Sequence, residues 1–96
     1  MAVRKIRWLK KAEAALTAYL GYVAEYGGAA ISEKNHTCIL ESLGILQRMP
    51  WAGPEVPGKR YRKKHVPGLS ITCFYAVRAR DLVILGFRHD KQPSAD

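Results

Sequence analysis

The chain has 96 residues, a length that predicts one domain over residues 1–96 around one modest hydrophobic core. Its residues are 48% hydrophobic and 25% charged, as in ordinary globular proteins, which argues against a disordered or low-complexity chain. Sixteen Lys and Arg against eight Asp and Glu give a formal net charge of +8 at pH 7. That charge predicts an anionic partner, either nucleic acid or an acidic protein segment, in preference to a membrane surface.

Membrane, secretory and metal-binding signals are missing from the sequence. No stretch approaches the roughly 18 consecutive apolar residues of a membrane-spanning helix. Lys10, Lys11 and Glu13 interrupt what would be the apolar region of a signal peptide, so we expect a soluble, cytoplasmic protein. Cys38 and Cys73 form no Cys-x-x-Cys pair, which favours two buried thiols over a disulfide framework or a zinc site. We expect neither a metal nor a cofactor.

Side-chain periodicity predicts a strand and two helices in the first half of the chain. Residues 3–8 alternate basic and apolar side chains, which is typical of a half-solvated strand. From residue 9 apolar residues recur at spacings of three and four, which predicts a helix that ends at Gly27-Gly28. A second helix is predicted over residues 29–49, and Pro50 ends it.

The second predicted helix has an unusually wide apolar arc. Such an arc suits a helix that is wedged between another helix and a sheet. The arc consists of Ile31, Cys38, Ile39, Leu43, Ile45, Leu46 and Met49.

A loop and a basic strand are predicted next. Residues 50–58 contain three prolines and two glycines, which indicates a stiff loop. Residues 59–66 are predicted to form a strand rich in lysine and arginine. Pro67-Gly68 then suits a type II turn.

Two further strands complete the predicted domain. Residues 69–78 alternate and are rich in β-branched and aromatic side chains, Ala79-Arg80 forms a tight turn, and residues 82–89 are mainly apolar. The order β-α-α-β-β-β predicts a two-layer α+β domain, in which a helical hairpin covers one face of a small, mostly antiparallel sheet. The other face of the sheet is left open. Residues 91–96 are predicted to be a flexible polar tail.

Several local features follow one another in a recognisable order. Residues 6–12 contain the end of the first predicted strand followed by two lysines. The second predicted helix ends in Leu46-Gln47-Arg48-Met49-Pro50. Tyr61-Arg62 enters a strand that Val66-Pro67-Gly68 leaves, and the last strand carries the run over residues 82–89. This ordered set resembles the RelE/ParE superfamily, the toxin halves of bacterial type II toxin–antitoxin pairs.

The resemblance spans residues 3–92 and implies a fold, a partner and an activity. Such toxins have the two-layer fold expected here, are wrapped by the C-terminal segment of a cognate antitoxin, and arrest growth when released. An acidic antitoxin fits the net charge of +8. We expect its disordered segment to become ordered over the helical hairpin or the sheet edge, in a toxin–antitoxin hetero-oligomer. RelE-like members cleave mRNA in the ribosomal A site, whereas ParE-like members bind DNA gyrase, and the fold does not decide between them.

Basic residues are the first candidates for a target-binding site. Five of them fall within residues 59–64. Such a cluster attracts phosphates, although charge also protects a solvated edge strand from aggregation. On a strand Arg62 and Lys64 share one face, and Lys63 lies on the other. The candidate binding residues are Lys59, Arg60, Arg62, Lys63, Lys64, Arg78 and Arg88.

Metal-independent RNA cleavage needs a base, an acid and cations around the phosphate. His89 matches a histidine that many members of both branches carry at the end of the last strand, and an imidazole can exchange a proton at neutral pH. Arg62 as a phosphate ligand and His89 as a proton carrier are therefore the catalytic candidates if the protein is a nuclease. A histidine at a strand end can equally be structural, and Glu55 is a candidate base only if its loop folds inward.

Two departures from the superfamily pattern bear on the activity. Lys63 stands where many ParE-like relatives have an acid, and no tyrosine lies near the C-terminus, where many RelE-like nucleases carry one. The second departure weakens the nuclease interpretation. Of the aromatic residues that could stack on bases, Trp51 is expected to anchor its loop and Phe74 to lie in the core, which leaves Tyr61.

Three functions are compatible with these residues. The first is a ParE-like toxin that binds gyrase, which the whole-chain resemblance and the incomplete acid–base set favour. The second is a RelE-like, ribosome-dependent mRNA endonuclease. The third is a basic nucleic-acid-binding module without toxicity.

Overall fold

The computed structural model describes residues 4–90, which form two helices and four strands. In chain order the elements are β1 (Lys5–Trp8), α1 (Lys10–Gly27), α2 (Ala29–Arg48), β2 (Arg62–His65), β3 (Ile71–Val77) and β4 (Asp81–His89). This order is the predicted one. Residue 3, the predicted start of the first strand, and the predicted tail at residues 91–96 lie outside the described residues.

The four strands form one sheet in the order β1-β4-β3-β2. β1 runs parallel to β4, whereas β3 pairs antiparallel with both of its neighbours. β1 and β4 can pair in parallel because the intervening helices and strands return the chain to the same end of the sheet. α1 lies against β4, and α2 packs against α1. The predicted two-layer α+β domain with a mostly antiparallel sheet is confirmed.

Gly28 makes the sharp turn between the helices. Its φ is +92°, a conformation that glycine adopts without steric strain. Its N–H donates to the Ala24 carbonyl at 2.9 Å, and its own carbonyl accepts from the Ser32 N–H at 3.2 Å, so one residue closes α1 and opens α2. The predicted end of α1 is confirmed, and α2 ends one residue earlier than predicted, because Met49 precedes a proline and has left the helix. Neither helix within residues 4–90 is long and apolar enough to cross a membrane.

The hydrophobic core lies between the helical hairpin and the sheet. Burying each large apolar side chain there contributes about 1.5–3 kcal/mol. Cys73 belongs to this core, and burial raises the pKa of its thiol to about 12. Cys38 is only partly buried, so the expectation of two buried thiols holds for Cys73 alone. The core residues are Ala12, Leu16, Tyr19, Ile39, Leu43, Leu46, Val66, Ile71, Cys73, Tyr75, Leu82 and Ile84.

One side of α2 differs from the prediction. Ile31, Ile45 and Met49 are 50%, 47% and 59% exposed. The wide arc predicted a helix covered by both a helix and the sheet, but α2 packs against α1 and leaves part of the arc in solvent. Together with Cys38 these residues recur at spacings of seven, seven and four, and therefore lie along one side of the helix. We call Ile31, Cys38, Ile45 and Met49 the α2 stripe.

Tight turns connect the last three strands where the sequence predicts them. At Pro67-Gly68 the Leu69 N–H donates to the Val66 carbonyl at 3.1 Å, and the glycine has a φ of +80°, as a type II turn requires. Between β3 and β4 the Arg78 N–H donates to the Asp81 carbonyl at 2.8 Å. These turns fix the register of β2, β3 and β4.

β2 is four residues long and therefore shorter than the predicted strand over residues 59–66. The Lys59 N–H donates to the Val56 carbonyl at 3.0 Å, with Gly58 between them at a φ of +74°, so a further turn precedes the strand. The Val56 N–H then donates to the Tyr61 carbonyl at 3.0 Å. The loop thus folds back along the start of β2 and covers part of its outer edge.

Candidate functional site

A buried tyrosine fixes the loop between α2 and β2. Tyr75 of β3 is fully buried; its hydroxyl donates to the Pro50 carbonyl at 2.9 Å and accepts from the Gly53 N–H at 2.9 Å. Burial raises the pKa of this hydroxyl, although the Gly53 hydrogen bond and the charge of Arg62 act in the opposite direction. The hydroxyl therefore stays protonated at neutral pH and keeps both bonds. The loop is held at two points that are three residues apart.

Gly53 has no room for a side chain. A Cβ atom at this position would lie 2.5 Å from the Tyr75 hydroxyl and would also collide with the Lys63 carbonyl. The loop can approach β2 and β3 this closely only because the residue is glycine. The sequence predicts a stiff loop from its prolines, but gives no sign that a hydroxyl from the core holds it.

Arg62, the first residue of β2, holds the same loop from the side. Its guanidinium donates to the Gly53 carbonyl at 2.7 Å and to the Glu55 carboxylate at 3.3 Å, and it lies 4.9 Å from the centre of the Trp51 ring. The Arg62 side chain is 19% exposed. The arginine that the sequence predicts as a phosphate ligand is thus engaged largely by its own loop, although its positive charge still acts at the surface.

A groove of about 260 Å³ opens between this loop and β2. Trp51 lies beside this groove and is 62% exposed, so the expectation that it anchors the loop is wrong. Tyr75 anchors the loop instead. The Arg4 guanidinium also approaches the Trp51 ring, 5.9 Å from its centre. We call this feature the Trp51 groove. Its lining residues are Trp51, Glu55, Lys59, Arg60, Tyr61, Arg62 and Val77.

A second basic surface is the sheet face that points away from the helices, which we call the open face. Residues paired directly across neighbouring strands share a face. Since Tyr75 and Cys73 point into the core, the alternate residues of β3 and their partners point outward. The basic residues placed on the open face by the register are Lys5, Arg7, Lys63 and Arg88. The uncovered side of the sheet therefore carries several of the basic residues of the strands.

Phe74 lies on the open face and not in the core, so its predicted position is wrong. It is half-buried, and its ring meets the Tyr61 ring edge to face with the ring centres 6.0 Å apart. Strand alternation predicts an outward position for Phe74, and the core assignment relied on its apolar character instead. Tyr61 and Phe74 form an aromatic pair beside Lys63, which pairs with Phe74 across the sheet.

The predicted binding residues do not form one surface. Lys59, Arg60 and Arg62 line the Trp51 groove. Lys63 and Arg88 lie on the open face. Lys64 pairs with Cys73 and lies at the sheet edge on the helix side, and Arg78 is exposed at the turn after β3.

His89 lies on the helix side of the sheet, among aromatic rings of α1. Its ring centre is 5.3 Å from that of Tyr19 and 5.0 Å from that of Tyr22. Tyr19 is buried, and burial raises the pKa of its hydroxyl, which accepts a hydrogen bond from Asn35 at 3.4 Å. These contacts give His89 a packing role between β4 and α1.

The two catalytic candidates are not brought together. Arg62 pairs with Tyr75 on one side of β3, and His89 pairs with Ile71 on the other side. Ile71 and Tyr75 are four positions apart on β3, which corresponds to about 13 Å along the strand. His65 pairs instead with Asp90 at 3.5 Å. Among residues 4–90, no group of three or more His, Cys, Asp and Glu side chains could hold a metal ion.

The fold has a counterpart among solved structures. The chain aligns with a chain of the chromosomal ParDE TA system from P. aeruginosa, with a TM-score of 0.76 and 24% sequence identity. The alignment covers 91% of this chain and 96% of that one. No family model and no curated protein matches the sequence. The similarity establishes a shared fold, and it confirms the fold that the resemblance to the RelE/ParE superfamily implies.

We predict that Gly53→Ala lowers the free energy of unfolding by about 1–3 kcal/mol, because the new methyl group must displace Tyr75 or β2. Gly21→Ala is the matched control, since Gly21 is exposed within α1 and an added Cβ there meets nothing within 4 Å. Alanine at residue 21 should raise the free energy of unfolding by about 0.5–1 kcal/mol. Urea unfolding followed by circular dichroism measures both. Equal stability of Gly53→Ala and the wild type would show that the loop is not held as described.

Proposed function

We propose that this chain is the toxin of a type II toxin–antitoxin system and that it acts in the ParE manner, by binding DNA gyrase or a related type II topoisomerase. The observation that carries the proposal is the fold shared with a chain of a ParDE TA system over 91% of this chain. The surface charge supports it as well, because a basic protein suits both an acidic antitoxin and an acidic target surface.

Binding is favoured over RNA cleavage by the arrangement of the titratable groups. Arg62 donates to Gly53 and Glu55, and His89 packs against Tyr19 and Tyr22 on the far side of β3. A nuclease needs its acid, base and cations around one phosphate. The described residues do not assemble Arg62 and His89 in this way, so an action by binding alone fits the geometry better.

An acidic antitoxin segment is the proposed cytoplasmic partner, and the α2 stripe is the surface proposed to receive it. A stripe that spans residues 31–49 is about 27 Å long in a helix, which suits an amphipathic segment that orders on binding. Lys34 and Arg48 are exposed on the same helix and can attract carboxylates at its border. The result would be a toxin–antitoxin hetero-oligomer.

We predict that expression of the protein in bacteria arrests growth and that the purified protein inhibits supercoiling of relaxed plasmid by gyrase. Undiminished supercoiling at a large molar excess of folded protein would contradict the proposed target. Primer extension on mRNA from the arrested cells distinguishes the nuclease alternative, which would produce new cuts near codon boundaries. Growth without arrest would favour a non-toxic binding module.

We also predict that replacing Ile31 and Ile45 together by Glu weakens binding of the cognate acidic antitoxin at least about 10-fold, because the stripe loses apolar area and gains like charge. Leu40→Glu is the matched control. Leu40 is 48% exposed on the same helix. It lies nine residues after Ile31, and this spacing puts it on the opposite side of the helix. Titration calorimetry with the antitoxin measures both. An equal loss of affinity in the control would exclude the stripe as the specific site.

A further inference from the structure

We infer that the Trp51 groove is the surface through which the toxin docks on its target enzyme, and that it receives an acidic segment of that protein with an apolar side chain. The inference rests on the proposed function and names the part of the molecule that would carry it out. Trp51 is exposed, its loop is held at Pro50 and Gly53, and cations surround it.

Trp51 is a large apolar side chain held in solvent by a rigid loop. Trp51 is 62% exposed, whereas folding alone favours its burial. The residue before it is fixed through the Pro50 carbonyl, and Gly53 is fixed through both its N–H and its carbonyl. A preorganised aromatic side chain loses little conformational freedom on binding, which is the property of an interface anchor.

The groove around Trp51 has the composition of a protein-binding site. Trp51, Tyr61 and Val77 supply apolar and aromatic surface, and tryptophan, tyrosine and arginine are the residues that dominate binding energy at interfaces. Among residues 4–90, four cations surround this surface, against the single carboxylate of Glu55. The cations are Arg4, Lys59, Arg60 and Arg62. Charge complementarity therefore requires an acidic partner segment, and the Trp51 ring requires an apolar side chain within it.

A protein segment fits this groove better than a nucleic acid does. Stacking of a base needs a whole face of the Trp51 ring, and the guanidiniums of Arg62 and Arg4 lie 4.9 Å and 5.9 Å from the ring centre. A small apolar side chain needs only the part of Trp51 that stays exposed. The Glu55 carboxylate, which is 74% exposed, pairs with Arg62 and leaves Lys59 and Arg60 as the exposed cations of the groove. Acidic side chains of a protein partner can pair with Lys59 and Arg60, which are both exposed.

The target enzyme is the occupant, and the antitoxin uses the α2 stripe. A disordered antitoxin segment gains most from a long surface, such as the stripe. A compact groove with a rigid anchor suits a local contact on a protein that is already folded. The two partners would then bind separate surfaces of the toxin.

The test compares growth arrest and gyrase inhibition by the wild type, Trp51→Ala and Trp51→Phe. Trp51→Ala should raise the concentration for half-inhibition at least about 10-fold and abolish growth arrest, with partial recovery in Trp51→Phe. Trp51→Ala should keep the wild-type melting temperature and antitoxin affinity, since the ring is mostly exposed. Lys59→Glu with Arg60→Glu should also weaken inhibition. The control with the same charge change is Lys10→Glu with Lys11→Glu, at exposed positions of α1, and it should inhibit as the wild type does.

Each other outcome overturns one statement. A wild type that does not arrest growth removes the proposed function itself. A wild type and a Trp51→Ala variant that arrest growth equally remove the groove proposal alone. Loss of antitoxin binding with retained arrest would assign the groove to the antitoxin. The last outcome uses a fluorescent single-stranded thymidine oligonucleotide. If the wild type binds this oligonucleotide but not gyrase, and Trp51→Ala abolishes the binding, the groove is assigned to nucleic acid.

Discussion

The hydroxyl of Tyr75 connects the core of this domain to the loop that carries the exposed Trp51. Its ring is buried in β3, and its oxygen bonds Pro50 and Gly53, which flank the exposed Trp51. Leaving a buried donor or acceptor without a partner costs about 1–3 kcal/mol. Displacement of the loop would break both hydrogen bonds of the Tyr75 hydroxyl at once. The loop therefore takes its position from the sheet, and the missing side chain of Gly53 allows the close approach.

The surface of the domain is divided into three parts with different chemistry. The Trp51 groove combines an aromatic anchor with cations, the α2 stripe is apolar, and the open face carries arginines and lysines around Phe74. The groove and the open face meet at Tyr61, which lines the groove and packs against Phe74, whereas the stripe lies on the helical layer. The field of the net charge of +8 is screened beyond about 8 Å at physiological salt, so it acts on an approaching acidic surface at short range.

The sequence predicts the architecture well because periodicity reports which residues face the core. It places both helices, the Pro67-Gly68 turn and the alternation of β3 close to where the structure has them. Periodicity does not predict how much of an apolar helix face other elements cover. The prediction therefore fails for the α2 stripe, which stays partly exposed. The sequence also cannot show that Arg62 and His89 are about 13 Å apart along β3, because that distance follows from strand register. Tyr75 is 22 positions from Gly53 and 25 positions from Pro50 in the sequence. No local sequence pattern therefore predicts that its hydroxyl binds the loop.

Amide hydrogen exchange at Gly53 tests the central claim most directly, since its N–H donates to the Tyr75 hydroxyl. In the wild type this amide should be protected to nearly the same degree as the amides of β3, and Tyr75→Phe should remove that protection while leaving β3 protected. Rapid exchange of the Gly53 amide in the wild type, at the rate of a solvent-exposed loop, would contradict the account.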